Sequence, residues 1–127
     1  MKKIIDTKKA PSAIGPYSQG TVGSKLIFVS GQLPIDPNTG QFVIGNINEQ
    51  TKQSLENLKE VLKSQGSGLD KVLKTTVFLS DMNNFADMNN IYESAFGAAN
   101  YPARSAVEVA RLPKDALVEI EAIALEG

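Results

Sequence analysis

Cysteine and histidine are both absent from the 127 residues of this chain. Without cysteine there is no disulfide, no thiolate nucleophile and no Cys-based zinc site. Without histidine there is no Ser-His-Asp triad, and the commonest general base and metal ligand is missing. Arginine is scarce as well, with Arg104 and Arg111 standing against eleven lysines. No apolar run approaches the roughly 20 residues that cross a bilayer. Met1 to Asp6 turns polar at once, without the apolar stretch of a secretory leader. A cytoplasmic location is therefore the expectation. A strong charge of one sign is also lacking: the formal net charge of −1 gives no electrostatic reason to expect nucleic acid or an anionic membrane as a partner.

What is present describes an ordinary globular chain. Hydrophobic residues make up 42% and charged residues 21%, and the length fits one domain over 1–127. Any chemistry must come from carboxylates, hydroxyls, amides, backbone groups, lysines and the two arginines.

The first third reads as strands joined by turns. Leu26-Ile27-Phe28-Val29 is a short buried-strand run closed by Ser30-Gly31. Asp36-Pro37-Asn38-Thr39-Gly40 carries turn chemistry and predicts a hairpin between Leu33-Pro34-Ile35 and Gln41-Phe42-Val43-Ile44. Asn46 with Glu49 has the spacing of a capping box, with Asn48 a competing cap. Ile47, Thr51, Leu55, Leu58 and Leu62 then recur at helical spacing, and Gly66 follows as a stop. Val72 to Ser80 is β-branched and apolar and predicts a strand. After caps at Asp81 to Asn84, the residues Phe85, Met88, Tyr92, Ala95 and Phe96 mark a second amphipathic helix that ends near Gly97. Ser105 to Val109 and Leu117 to Leu125 are expected as the last strands, around the turn Leu112-Pro113-Lys114-Asp115.

The order predicts an α+β fold with two helices on one face of the sheet. Along the last strand, Val118, Ile120, Ala122 and Ala124 share one face, and Leu117, Glu119, Glu121, Ile123 and Leu125 share the other. Both faces carry apolar residues, while two helices cover only one. The second face therefore calls for a second copy of the chain, and a homo-oligomer is expected.

Glu119 and Glu121 stand out because buried carboxylates need a cation, donors or water. Either this end of the face is solvated or ion-paired, or one carboxylate lines a pocket and handles a proton. Arg104 opens a strand after Asn100-Tyr101-Pro102-Ala103. It is either an ion-pairing arginine or a bidentate grip on a substrate carboxylate. Tyr17 lies in the rigid loop Gly15-Pro16-Tyr17-Ser18-Gln19-Gly20, as a packing anchor or a site hydroxyl. Ser30 ends a strand beside Gly31; with no histidine as base, a covalent serine mechanism is not expected. Asn89 falls on the polar side of the second helix, where the default is solvation.

Together these segments resemble the reactive-intermediate deaminase family, also called RidA or YjgF-like. The likeness rests on Ala13-Ile14-Gly15-Pro16-Tyr17-Ser18-Gln19-Gly20, Val29-Ser30-Gly31-Gln32-Leu33-Pro34 and Lys74-Thr75-Thr76-Val77-Phe78-Leu79. It continues through Tyr101-Pro102-Ala103-Arg104-Ser105-Ala106-Val107-Glu108-Val109-Ala110-Arg111-Leu112-Pro113 into Val118-Glu119-Ile120-Glu121. The resemblance implies a chorismate-mutase-like protomer, with a mixed, mainly antiparallel sheet. It also implies a homotrimer with a central barrel and active sites between subunits. It implies hydrolysis of 2-iminobutanoate, 2-iminopropanoate and their enamine tautomers to 2-oxo acids and ammonia, with no cofactor and no metal. Pyridoxal-phosphate-dependent dehydratases would be the functional partners that release those substrates.

The resemblance makes Arg104 the substrate-carboxylate arginine and Glu119 the holder of the attacking water. Tyr17, Ser30, Gly31 and Asn89 line the cleft, and Ala106 replaces a cysteine found in many members. A second class of function is a regulatory protein that senses a 2-oxo acid or amino acid in the same cleft without turnover. Ribonuclease activity, mentioned for some relatives, is disfavoured by the missing histidine, near-neutral charge and 6% aromatic content.

Overall fold

In the computed structural model, which describes residues 1–97 and 99–127, six strands form one sheet and two helices pack on one of its faces. The strands are β1 (Lys3–Ile5), β2 (Gly20–Gly23), β3 (Leu26–Gln32), β4 (Val72–Leu79), β5 (Ala103–Glu108) and β6 (Val118–Leu125). The helices are α1 (Ile47–Lys63) and α2 (Phe85–Phe96). The sheet order is β1-β2-β3-β6-β4-β5, and every pair is antiparallel except β4 with β5. Parallel neighbours need a long crossover, and α2 supplies it between β4 and β5. The last strand inserts between β3 and β4, so Glu119 and Glu121 lie in the middle of the sheet.

The start of α1 follows the predicted chemistry. The Asn46 side chain accepts from the Asn48 amide at 3.1 Å, and Glu49 Oε1 accepts from the Asn46 amide at 2.8 Å, completing the capping box. Asn48 is thus a donor to the cap and not the cap itself. Ile47, Thr51, Leu55, Leu58 and Leu62 are all buried, as their spacing predicts. Burying each of the aliphatic side chains stabilises the fold by about 1.5–3 kcal/mol. Beyond Lys63 the chain reverses through Gly66 at φ +71°, a conformation that suits glycine. Gly97, at φ +83°, ends α2 in the same way.

Three expectations are corrected. Ala95 is exposed, and Ile91 packs against the core in its place, because α2 turns its Met88–Tyr92 side toward the sheet. Leu117 stays outside β6; its amide donates to the buried Gln50 side chain at 2.9 Å, although its carbonyl still accepts from the Ser80 amide at 3.2 Å. Strand β5 begins at Ala103 and ends at Glu108, because its parallel pairing runs along Lys74 to Leu79. The hairpin over 33–44 forms but stays short: around the Ile35–Phe42 bridge, Val43 N donates to Pro34 O at 3.1 Å and Asp36 N to Gln41 O at 2.8 Å, while Leu33 O and Ile35 O accept from Asn57 Nδ2 at 3.1 and 2.8 Å.

The two faces of the sheet differ sharply. Ile27, Val29, Val77, Leu79, Val118, Ile120, Ala122 and Ala124 are buried beneath the helices. On the other face, Ile4, Thr21, Phe28, Ile123 and Lys74 form one row across five strands, matched position by position in the register. Ile4 is 52% and Phe28 44% exposed, so an apolar surface is left uncovered in the single chain.

Candidate functional site

A β-bulge sets the first half of the site. Between Val29 and Gln32, strand β3 spends one more residue than β6 does between Ala122 and Ile120, so Ser30 and Gly31 together face Glu121. Bulges re-aim side chains and occur beside functional sites. Here the bulge brings Gly31 against Glu119. A Cβ at Gly31 would fall on the Glu119 carboxylate, 2.8 Å from its Cδ, so glycine leaves the space that the acid occupies.

Glu119 is half-buried and has no hydrogen-bond or ion-pair partner among the described residues. Burial raises its pKa above the usual carboxylate range, and the neighbouring charge of Glu121 adds to the rise. The carboxylate looks into a hollow of about 630 Å³ lined by Tyr17, Ser30, Gly31, Leu33, Lys114 and Glu121, among others.

The loop carrying Tyr17 is fastened by a side chain that the sequence did not single out. Gln19 is almost fully buried; its Nε2 donates to Thr7 O and Pro11 O, both at 2.9 Å, while its Oε1 accepts from the Thr7 amide at 2.7 Å. Tyr17 is half-exposed, and its hydroxyl accepts from the Ile14 amide at 3.2 Å, which leaves its proton free to donate. Ser30 Oγ donates to Ser18 O at 2.6 Å. Its proton is thus committed to a carbonyl, not to a base, and the oxygen remains an acceptor.

The second half lies elsewhere. Arg104 is on β5, at the sheet edge, opposite Thr75 and on the helix-covered side. Its guanidinium stacks 4.7 Å from the Tyr92 ring centre and 5.5 Å from that of Phe85, both on α2. Nη1 donates to Asn89 Oδ1 at 2.7 Å, so Asn89 is a partner of Arg104 and not merely solvated. Asn89, Tyr92, Glu93, Tyr101, Pro102 and Arg104 line a separate hollow of about 410 Å³. Ala106, opposite Val77, packs against the core beneath α2 on the same side as Arg104.

The structure therefore brings Tyr17, Ser30, Gly31 and Glu119 together, and separately brings Arg104 and Asn89 together. It does not join the two groups within one protomer: Arg104 and Glu119 lie on opposite faces of the sheet, with β4 between their strands. Phe85, Tyr92 and Tyr101 were not expected at the site; the spacing of Phe85 and Tyr92 signalled only a core-facing helix. Among the described residues, no group of three acidic side chains is placed to hold a metal ion.

The whole chain has close relatives. The family model described as Endoribonuclease L-PSP matches residues 7–126. A RutC family protein of Pyrococcus horikoshii is 55% identical over 98% of both chains. The human protein named 2-iminobutanoate/2-iminopropanoate deaminase is 47% identical, covering 100% of this chain and 92% of its own. Among solved structures, Escherichia coli TdcF with bound serine superposes with a TM-score of 0.93 at 46% identity, covering 98% of this chain and 99% of that one. The chain belongs to the endoribonuclease L-PSP family, the RidA/YjgF family that its sequence motifs resemble.

Proposed function

We propose that the protein hydrolyses reactive 2-imino acids and their enamine tautomers, such as 2-iminobutanoate and 2-iminopropanoate, to 2-oxo acids and ammonia. The observation that carries this reading is the Glu119 carboxylate, half-buried, unpaired among the described residues and raised in pKa, facing the Tyr17 and Ser30 hydroxyls across Gly31. Such a group is suited to hold a water molecule and take its proton. The name of the human relative supports the same reaction class.

In the proposed mechanism, Arg104 grips the substrate carboxylate through the N–H groups that Asn89 does not use, each charge-assisted bond contributing about 1.5–3 kcal/mol. Glu119 turns water toward the carbon of the protonated imine and takes one of its protons as the C–O bond forms and the C=N electron pair moves to nitrogen. Glu119 then hands that proton to the amine nitrogen of the tetrahedral adduct. The C–N bond breaks, the nitrogen leaves as ammonia, and the hydroxyl releases its proton to solvent as it becomes the carbonyl. Tyr17 is placed to donate to the adduct, with the backbone at Gly31 as a further contact. An imine carbon is already electrophilic, so positioning counts for more than a strong nucleophile. The reading needs no cofactor and no metal.

A small imino acid cannot touch both Arg104 and Glu119 of one chain, because the sheet separates them. We therefore place each active site between copies of a chorismate-mutase-like protomer in a homotrimer, where the β5 edge of one subunit meets the Glu119 hollow of the next. The uncovered row from Ile4 to Lys74 supports association through that face. Dehydratases that use pyridoxal phosphate are the expected source of substrate.

The test is ammonia release from freshly generated 2-iminobutanoate in a coupled dehydratase assay, with light scattering on the same preparation. Equal rates with and without the protein would end the deaminase reading, and saturable binding without turnover would favour a sensor. Mixing inactive Arg104→Ala and Glu119→Gln subunits should restore about a quarter of the sites, since each site needs one intact residue from each chain. No recovery in proven mixed trimers would end the shared-site geometry.

A further inference from the structure

We infer that Thr75 and Tyr92 are positioning residues for Arg104: their buried hydroxyl pair fixes the ring on which the guanidinium lies, and so fixes the plane in which a carboxylate is gripped. This rests on reading Arg104 as the carboxylate-binding group.

The contacts close on themselves. Thr75 lies directly opposite Arg104 in the β4–β5 pair. Its Oγ1 meets the Tyr92 hydroxyl at 2.6 Å, and the Tyr92 ring lies under the Arg104 guanidinium at 4.7 Å. From Arg104 the circuit runs across the backbone ladder to Thr75, through the hydroxyl pair to Tyr92, and through the ring back to Arg104. The ring is thereby referenced to the strand that carries the arginine, not only to the helix that carries the tyrosine. Phe96 packs on the same ring at 4.5 Å, and Phe85 adds a second aromatic contact to the guanidinium.

Packing alone does not account for this arrangement. Thr75 is fully buried and Tyr92 is 3% exposed. Valine and phenylalanine would occupy nearly the same space without burying polar atoms that must find partners. The two hydroxyls satisfy one another at the place where an arginine has to be held. Burial is also what raises the Tyr92 pKa, so the phenol stays protonated and able to share its hydrogen with Thr75. A bidentate grip requires the guanidinium and carboxylate to be coplanar, and arginine is otherwise a flexible side chain whose ordering opposes binding. Stacking over a locked ring removes that freedom before the ligand arrives, while Asn89 holds one N–H and leaves the remainder available.

The experiment measures binding of 2-oxobutanoate, the stable product, by calorimetry alongside steady-state kinetics. Thr75→Val and Tyr92→Phe should each weaken affinity by about tenfold. The double variant should be no worse than either single one, because both break the same link. Thr75→Ser should restore most of the affinity. KM should rise while kcat changes by less than about threefold. Thr51→Val is the control: Thr51 is a buried threonine on α1 whose hydroxyl has no partner among the described residues, and its loss should leave affinity unchanged. The Arg104 Nε–H resonance in nitrogen-15 spectra should be sharp in the parent and broadened in Thr75→Val. Parent-like affinity and an unaltered Arg104 resonance in folded Thr75→Val would overturn the inference. If Arg104→Ala binds 2-oxobutanoate as tightly as the parent, the carboxylate reading is what fails, and the Arg104 resonance still reports on the clamp.

Discussion

Arg104 comes to its hollow already held, against two aromatic rings and an amide, whereas Glu119 reaches its own with no hydrogen-bond or ion-pair partner among the described residues. The two groups face opposite demands. A guanidinium keeps its charge in any surroundings, so stacking can restrict its motion without threatening its protonation. A carboxylate that is to take a proton must not be tied up by a cation, because an ion pair would lower its pKa and its basicity. The cation is therefore clamped and the acid is left bare. In the proposed shared site the substrate would stand between the two groups, since a direct Arg104–Glu119 pair would disable both.

The largest test of this contrast is Arg104→Ala. Loss of two charge-assisted bonds should lower kcat/KM by about 10³-fold in the coupled assay, and a fall of less than tenfold would mean that the clamped cation does not hold substrate. Next comes Glu119→Gln, which should lower kcat by about 10²-fold with little change in KM. In the parent, kcat should fall as pH drops through the raised Glu119 pKa, because protonation removes the base. A rate that stays level through that range would assign the base elsewhere.

Gly31→Ala should have a smaller, more specific effect. The new methyl displaces the mobile end of Glu119, so kcat should fall by roughly tenfold while the melting temperature hardly moves. A large loss of stability with normal kcat would show that the glycine serves the strand and not the acid. Smallest is the effect of Glu119→Gln on stability. A carboxyl whose pKa is higher in the folded state binds protons more readily when folded, so its ionisation disfavours folding as pH rises. The amide variant should melt slightly higher than the parent at neutral pH, and the difference should shrink as pH falls below the raised pKa.

Much of the fold can be read locally. The α1 cap, its buried stripe, the glycine exits and the alternation along β6 each depend on residues no more than a few positions apart. Two short strands cannot be read this way. Lys3–Ile5 is too brief for a period to show, and Gly20-Thr21-Val22-Gly23 has the composition of a loop; β2 becomes a strand by pairing with β3, and β1 by pairing with β2. In α2 the apolar positions allow either Ala95 or Ile91 toward the core, and packing against α1 and the sheet selects Ile91. At the site, family motifs pointed to Arg104, Glu119, Tyr17, Ser30, Gly31, Asn89 and Ala106. They did not reveal the Thr75–Tyr92 hydroxyl pair or the Gln19 anchor, because each joins residues 8 to 17 positions apart through side-chain geometry.

By itself the sequence determined which chemistries were open and the kinds and order of the longer elements, since composition and short-range period act through neighbours on the same segment. Only the tertiary structure decided that β6 would lie between β3 and β4, that Gly31 would make room for the Glu119 carboxylate, and that Arg104 would rest on the opposite face. Those outcomes depend on contacts between segments far apart in the chain, where burial and strand pairing outweigh local preference.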